Sequence, residues 1–286
     1  MRHGFLLIHK PVGITSHDAV AIVRRSLSEP HIGHLGTLDP AAEGLLVLAV
    51  GAKALKVIEL FMHLPKEYEA LVHFGAQSST YDREGTIEEW KPVAGWREPD
   101  LVSLRTIIEQ RFLGRIQQVP PAHSAVKVGG ERAYRKARQG RGIDLPSREV
   151  EVLACDIVRY AYPDLTLRVR CGSGTYIRSL AHDLGRALQC GGYLKALKRT
   201  KVGEWDLKDA VAPEQAVWTK VVPLKEVLAA SKCIELNDAQ AADIRFGRAI
   251  PVEVEQDAIG WNGGLPIAIL IPMKDGTRNC RARKVL

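Results

Sequence analysis

The chain has 286 residues, 46% apolar and 26% charged, a globular composition that excludes disordered, collagenous and fibrous classes and is long enough for one large or two ordinary cores. Forty Lys and Arg against 33 Asp and Glu leave a formal charge of +7, and the surplus is local, with nine cations against two acids over residues 111–148. A concentrated basic segment points to a polyanionic partner such as nucleic acid more than an evenly basic surface would.

Five cysteines, no two closer than 16 residues, provide neither a CxxC zinc pair nor a disulfide framework. Unpaired, scattered cysteines suit a reducing compartment, so a cytoplasmic protein is expected. The apolar run at 5–8 is too short for a signal peptide, and no run approaches the roughly 18 residues of a membrane span.

In chain order, residues 5–8 read as a short buried strand ended by Lys10-Pro-Val-Gly13. Ser16 can cap a helix with Val20, Val23 and Leu27 as its apolar stripe, and Pro30 ends it. The Gly- and Pro-punctuated stretch 31–44 reads as loop. Residues 45–50 form an apolar strand and 52–63 a helix closed by Pro65. Residues 67–74 alternate, with Tyr68, Ala70, Val72 and Phe74 on one strand face. A turn follows at 79–85, then an amphipathic helix over 100–112 bearing Leu101, Leu104, Ile108 and Phe112. The basic segment comes next. Residues 149–160 and 165–171 are strand-like. Thr175 can cap a helix whose apolar face is Ile177, Leu180, Ala181, Leu184 and Leu188, stopped by Gly191 and Gly192. From about residue 231, short strands at 234–236, 267–271 and 284–286 alternate with Gly and Asn turns. The mixture lacks a regular βαβ rhythm, so the expected class is α+β with a mixed, mostly antiparallel sheet, divided into 1–230 and a small β-rich domain at 231–286.

Asp39 is the leading chemical candidate. It precedes Pro40 in a loop punctuated by Gly33, Gly36 and Gly44, where rigid backbone holds a carboxylate either as a turn or helix cap or as a nucleophile or general base. Gly33 to Gly36 can present backbone N–H groups to a phosphate, and His34 can touch a phosphate or a base. Arg178 opens a helix, where a cation opposes the macrodipole unless a carboxylate lies nearby. Tyr68 and Tyr176 either pack in the core or stack on a base. The basic segment, with Tyr134 among arginines, suits an arm on a phosphate backbone. The GxxxxGK[ST], HExxH and GxSxG motifs are absent.

Taken in order, these segments resemble one family. Gly33-His-Leu-Gly-Thr-Leu-Asp-Pro-Ala-Ala-Glu-Gly-Leu-Leu46 resembles the catalytic motif of the TruB family of tRNA pseudouridine-55 synthases. Leu7-Ile-His-Lys-Pro-Val-Gly-Ile-Thr-Ser16, Lys66-Glu-Tyr68, Thr80-Tyr-Asp-Arg-Glu-Gly85, Gly174-Thr-Tyr-Ile-Arg178 and Leu197-Lys-Arg-Thr200 resemble further motifs of that family. The stretch from Val119 to Gly140 resembles its RNA-binding insertion, placed at 113–148. The likeness spans about 4–205 in order, and the C-terminal part resembles a PUA-like domain more loosely. Three positions depart from the family's usual residues, Ala41, Glu43 and His123.

The resemblance implies a pseudouridine synthase fold and isomerisation of a T-loop uridine in tRNA. It implies Asp39 as the catalytic carboxylate, Tyr68 stacked on the flipped base, and Arg178 paired with Asp39. It also implies Tyr176 and Leu197 lining the pocket, His34 touching RNA, and Lys127, Arg135, Arg138 and Arg141 on the insertion. It implies no cofactor and no metal. The expected partner is the tRNA T arm, with the chain acting as a monomer without an obligate protein partner or a membrane. Two rivals are a non-catalytic tRNA-binding or folding protein, and a synthase acting at another RNA site.

Overall fold

A computed structural model describes residues 3–122, 145–273 and 277–286, and the backbone of 127–128 and 131–132. The framework is one long sheet. Its strands are β1 (Gly4–Lys10), β2 (Ile32–Leu35), β3 (Ala42–Val50), β4 (Lys66–Phe74), β5 (Gly114–Gln118), β6 (Arg148–Ala161), β7 (Asp164–Cys171) and β8 (Gly192–Val202). The order is β1-β3-β8-β4-β7-β6-β5, with β2 against β3 and Val222–Pro223 beside β1. Every pairing along this order is antiparallel except β8 with β3. The expected α+β class with a mixed, mostly antiparallel sheet is what the chain adopts.

The helices packed around the sheets include α1 (Ser16–Leu27), α2 (Ala52–Val57), α3 (Leu101–Arg111), α4 (Ile177–Ala187) and α5 (Asp238–Arg245). α3 and α4 bury Leu104, Ile108, Leu180 and Leu184 against Ala70, Val72, Leu165 and Leu167. A second sheet pairs β9 (Cys233–Glu235), β10 (Ala258–Asn262), β11 (Leu265–Pro272) and β12 (Cys280–Val285), with β9 and β10 parallel. Ile259 and Ile269 of that sheet enter the same apolar cluster as Phe5, Leu45 and Val47. Arg283 and Lys284 add ion pairs to Glu59 at 2.9 and 2.8 Å. Among the described residues no helix is long and apolar enough to cross a membrane.

Several local expectations are corrected. Thr15, not Ser16, caps α1: its hydroxyl accepts from the Asp18 amide while Asp18 returns a bond to the Thr15 amide, a reciprocal capping box. Residues 32–35, expected as loop, are strand β2, because pairing with β3 outweighs their glycine. The helix expected over 52–63 stops at Val57 and tightens into a 3-10 turn over Ile58–Phe61. Thr175 does not cap α4; its hydroxyl donates to the Gly172 carbonyl at 3.1 Å, and Tyr176 holds the cap position. Strand β8, α5 and β10 were not foreseen.

Gly44 makes the parallel pairing of β3 with β8 possible. It sits opposite Arg199 at φ +114, and an added Cβ would lie 2.3 Å from the Arg199 carbonyl oxygen. Gly44→Ala is expected to cost about 2 kcal/mol or more of stability, read as a lower urea midpoint, because both the backbone angle and the close approach are violated. An unchanged midpoint would mean that β3 and β8 part freely at this point.

Candidate active site

Asp39 lies in the loop joining β2 to β3, and the residues on either side of it are fastened. The Ser16 hydroxyl accepts from the Leu38 amide at 2.9 Å and donates to the Leu38 carbonyl at 3.0 Å. The Pro40 carbonyl accepts from the Gly13 amide at 2.8 Å, and the Asp39 carbonyl accepts from the Ala42 amide at 3.1 Å. With its backbone fixed from both flanks, Asp39 has its side chain free to face a cleft.

Arg199 fastens the same loop from below. It is only 1% exposed. Its Nε donates to the Leu45 carbonyl at 2.7 Å and its Nη2 to the Gly36 carbonyl at 3.1 Å, so one guanidinium holds both ends of the loop onto β8. Such a buried cation is tolerable because backbone oxygens receive its donors. Lys10 is fully buried nearby, its Nζ donating to the Pro11 and Ile14 carbonyls at 2.8 Å each.

Arg178 enters from the first turn of α4 and meets two carboxylates. Its Nη2 is 3.1 Å from Asp39 Oδ2, and its Nη1 is 3.2 Å from Asp82 Oδ2. Asp82 is buried in the turn after β4, where its Oδ1 accepts from the Glu84 amide at 3.0 Å and from the Thr80 hydroxyl. The start of α4 is anchored by the buried Gln118, whose side-chain amide accepts from the Tyr176 N–H at 2.7 Å and donates to the Tyr176 carbonyl at 2.9 Å. A side-chain amide here takes the place of another strand's backbone, satisfying a helix end that lacks a side-chain cap.

These groups border an open cleft lined by Asp39, Ala42, Asp82, Arg83, Arg178 and Leu197, among others. The Asp39 side chain is 41% exposed towards it. Surrounding protein still pushes its carboxyl above the ordinary range, mainly by burial and further by the Asp82 charge, with Arg178 and Lys10 opposing.

The structure brings Asp39, Arg178 and Leu197 together at the cleft. Tyr68 stands across from Arg199 in the β4–β8 register, packs partly against the main core, and is pushed up by burial, so its phenol is protonated at neutral pH. Tyr176 sits at the entrance to α4, two residues before Arg178. His34, half-buried on β2, meets His17 edge-on at 5.9 Å, and burial lowers its pKa further below neutrality. Arg135, Arg138 and Arg141 lie outside the described residues, as do the Lys127 side chain and His123. Asp82, Arg199, Lys10 and Gln118 are neighbours of this site that the sequence alone did not single out. Among the described residues no group of three or more His, Cys, Asp or Glu is arranged to hold a metal.

Known proteins match along most of the chain. Residues 24–177 match the model of the TruB family pseudouridylate synthase N-terminal domain, and residues 178–240 match that of the tRNA pseudouridylate synthase B C-terminal domain. The tRNA pseudouridine synthase B of Thermobifida fusca (strain YX) is 43% identical over 270 residues, covering 91% of this chain and 90% of that protein. The protein of the same name from Xanthomonas oryzae pv. oryzae (strain MAFF 311018) is 41% identical over 257 residues, covering 87% of this chain and 82% of its own. A chain in the crystal structure of a Cbf5-Nop10-Gar1 complex superposes with a TM-score of 0.72 at 22% identity, over 99% of this chain and 85% of its own, which shows a shared fold. With an ordered sheet, a fastened Asp39 loop and matches of this extent, the chain belongs to the TruB family of pseudouridylate synthases.

Proposed function

We propose that this chain isomerises the T-loop uridine of tRNA to pseudouridine, with Asp39 as the catalytic carboxylate. The single observation that supports this most is the fixed Asp39–Arg178–Asp82 array at the cleft. The reaction breaks the bond between N1 of uracil and C1′ of ribose and forms one between C5 and C1′. C5 gives up its proton and N1 gains one, so substrate and product are isomers and no oxidant or nucleotide is consumed. Asp39 serves this either by attacking the base or by assisting its departure at the ribose carbon. Arg178 holds the carboxylate in orientation. Tyr68, protonated at neutral pH, suits stacking on the uracil and donating a hydrogen bond. Leu197 and Tyr176 would border the base and His34 the RNA. Extruding a base costs a few kcal/mol, which stacking offsets.

The test is to incubate T-arm RNA and full tRNA with the purified chain and to map pseudouridine by position. Conversion at the T-loop uridine supports the reading. Tight binding with no conversion would favour a non-catalytic tRNA binder, and conversion elsewhere a different site.

The pH profile follows from the site. The ionised carboxylate is the active form, and its pKa is raised, so activity falls on acidification at a pH above that of an ordinary aspartate, about 3.9. Activity that holds down to the pH of an ordinary aspartate would detach the raised Asp39 carboxyl from the rate.

Residues 113–148 are proposed as the RNA-gripping insertion, 231–286 as a PUA-like RNA-binding domain, and the whole as a cytoplasmic monomer. Replacing Arg135, Lys136, Arg138 and Arg141 by Ala is expected to weaken tRNA binding and to reduce the log–log salt slope by up to about 3.6, at roughly 0.7–0.9 for each phosphate no longer neutralised. An unchanged slope would make the segment a solvated charged stretch.

A further inference from the structure

The turn that carries Asp82 runs along one face of α4. Asp82 meets Arg178, and Tyr81 lays its ring on His182, one helical turn further along the same face. The two ring centroids are 3.9 Å apart and the planes differ by 13°. Tyr81 adopts φ +64, a left-handed angle that an aromatic residue seldom takes. Its carbonyl accepts from the Leu194 amide at 2.9 Å, and its own amide donates to the Ser78 carbonyl at 3.1 Å. The backbone of Tyr81 is thus tied to β8 while its side chain is tied to α4, and Asp82 bridges these same two elements. The imidazole in the stack is neutral, because burial, and then the Arg186 charge, hold His182 down to about 4. Arg178 and Arg186 stand one turn away on either side, so this part of the helix already carries two cations.

Neither ring takes part in the chemistry proposed above. We infer that the Tyr81–His182 stack is a positioning device: it sets where the turn lies along α4, so that Asp82 holds Arg178 against Asp39. Tyr81 acts through Asp82 and Arg178 and does not touch the reacting atoms. The kinetic consequence rests on the functional reading above; the consequence for Asp39 rests on the geometry alone.

The experiment compares wild type, Tyr81→Ala, Tyr81→Phe, Asp82→Asn and the Tyr81→Ala/Asp82→Asn pair by two readouts. One is kcat and KM on T-arm RNA; the other is the titration of the Asp39 carboxyl followed by carbon NMR. Tyr81→Ala is expected to lower kcat about 10- to 100-fold, the scale of a small misplacement at a reacting group. KM should stay within about twofold. Asp39 should titrate at higher pH than in wild type as Arg178 withdraws. Tyr81→Phe, which keeps the ring, should restore both. In the Asp82→Asn background Tyr81→Ala should add little, since both act on one contact. Unchanged kcat in Tyr81→Ala overturns the inference. So does a raised KM at unchanged kcat, which would make Tyr81 an RNA contact, and so does a fully additive loss in the double variant. If Tyr81→Ala does not fold, Tyr81→Leu keeps apolar bulk without the flat ring and carries the same expectations. Wild-type turnover checks the functional reading separately, and the Asp39 titration needs no turnover.

Discussion

Asp39→Asn is expected to reduce pseudouridine formation by about a thousandfold or more, while tRNA affinity stays within about threefold of wild type. Asparagine has the shape of aspartate and can still accept from Arg178, so the loop and the cleft persist. It lacks the negative charge that either route at the sugar or the base requires. The fold supplies its own control. Because the folded environment raises the Asp39 pKa, the protonated form is the one that folding favours. The stability linked to this group is present at low pH and falls as pH rises through the folded pKa. A neutral side chain at this position should therefore leave the melting temperature at pH 7 unchanged or higher, in keeping with the common exchange of stability for activity at catalytic sites. Inactive protein with a lowered melting temperature would mean a damaged fold and not a missing charge. Substantial activity in a well-folded Asp39→Asn would remove Asp39 from the reaction.

How much of this was legible in the sequence depends on how local the physics is. Strand β4 was legible because Ala70, Val72 and Phe74 alternate with exposed or half-buried neighbours. Helix α3 was legible because Leu104, Ile108 and Phe112 fall on one buried face, although Leu101, read with them, is exposed. The Asp39 loop announced itself through its glycines and proline, and its pairing with Arg178 came from the resemblance and from the unfavourable place of a cation at a helix start. Strand β8 was not legible. Its stretch from Lys195 to Lys201 carries four charged residues and reads as surface, yet it is a central strand with a neighbour on either side. Arg199 is buried there by two carbonyls more than 150 residues away in sequence. Asp82 lies 96 residues from Arg178, so no local spacing links them. In each missed case the information is in a meeting of distant segments, which neither periodicity nor turn chemistry records.

The same distances make Arg178 the most consequential position after Asp39. Its two terminal nitrogens are divided between two carboxylates, 3.1 Å from Asp39 and 3.2 Å from Asp82, in a setting where Arg178 and Asp82 are both buried. Arg178→Met keeps apolar bulk and leaves Asp82 a buried charge without its counter-ion, a loss of about 3–5 kcal/mol. In a domain of this size that corresponds to a fall in melting temperature of roughly 6–20 °C at pH 7. The deficit should shrink on acidification, because a protonated carboxyl no longer needs the Arg178 cation. Arg178→Lys separates charge from geometry. A lysine ammonium is a point charge that can serve one carboxylate well but does not reproduce the planar fork. Stability should return most of the way to wild type, while turnover stays about a hundredfold or more below it because Asp39 is no longer held in orientation. Thermal melts at pH 5 and 7, beside turnover on T-arm RNA, separate the two effects. Full activity in Arg178→Lys would reduce the guanidinium to a source of charge, and a Met variant as stable as wild type would mean that Asp82 is satisfied by its other partners.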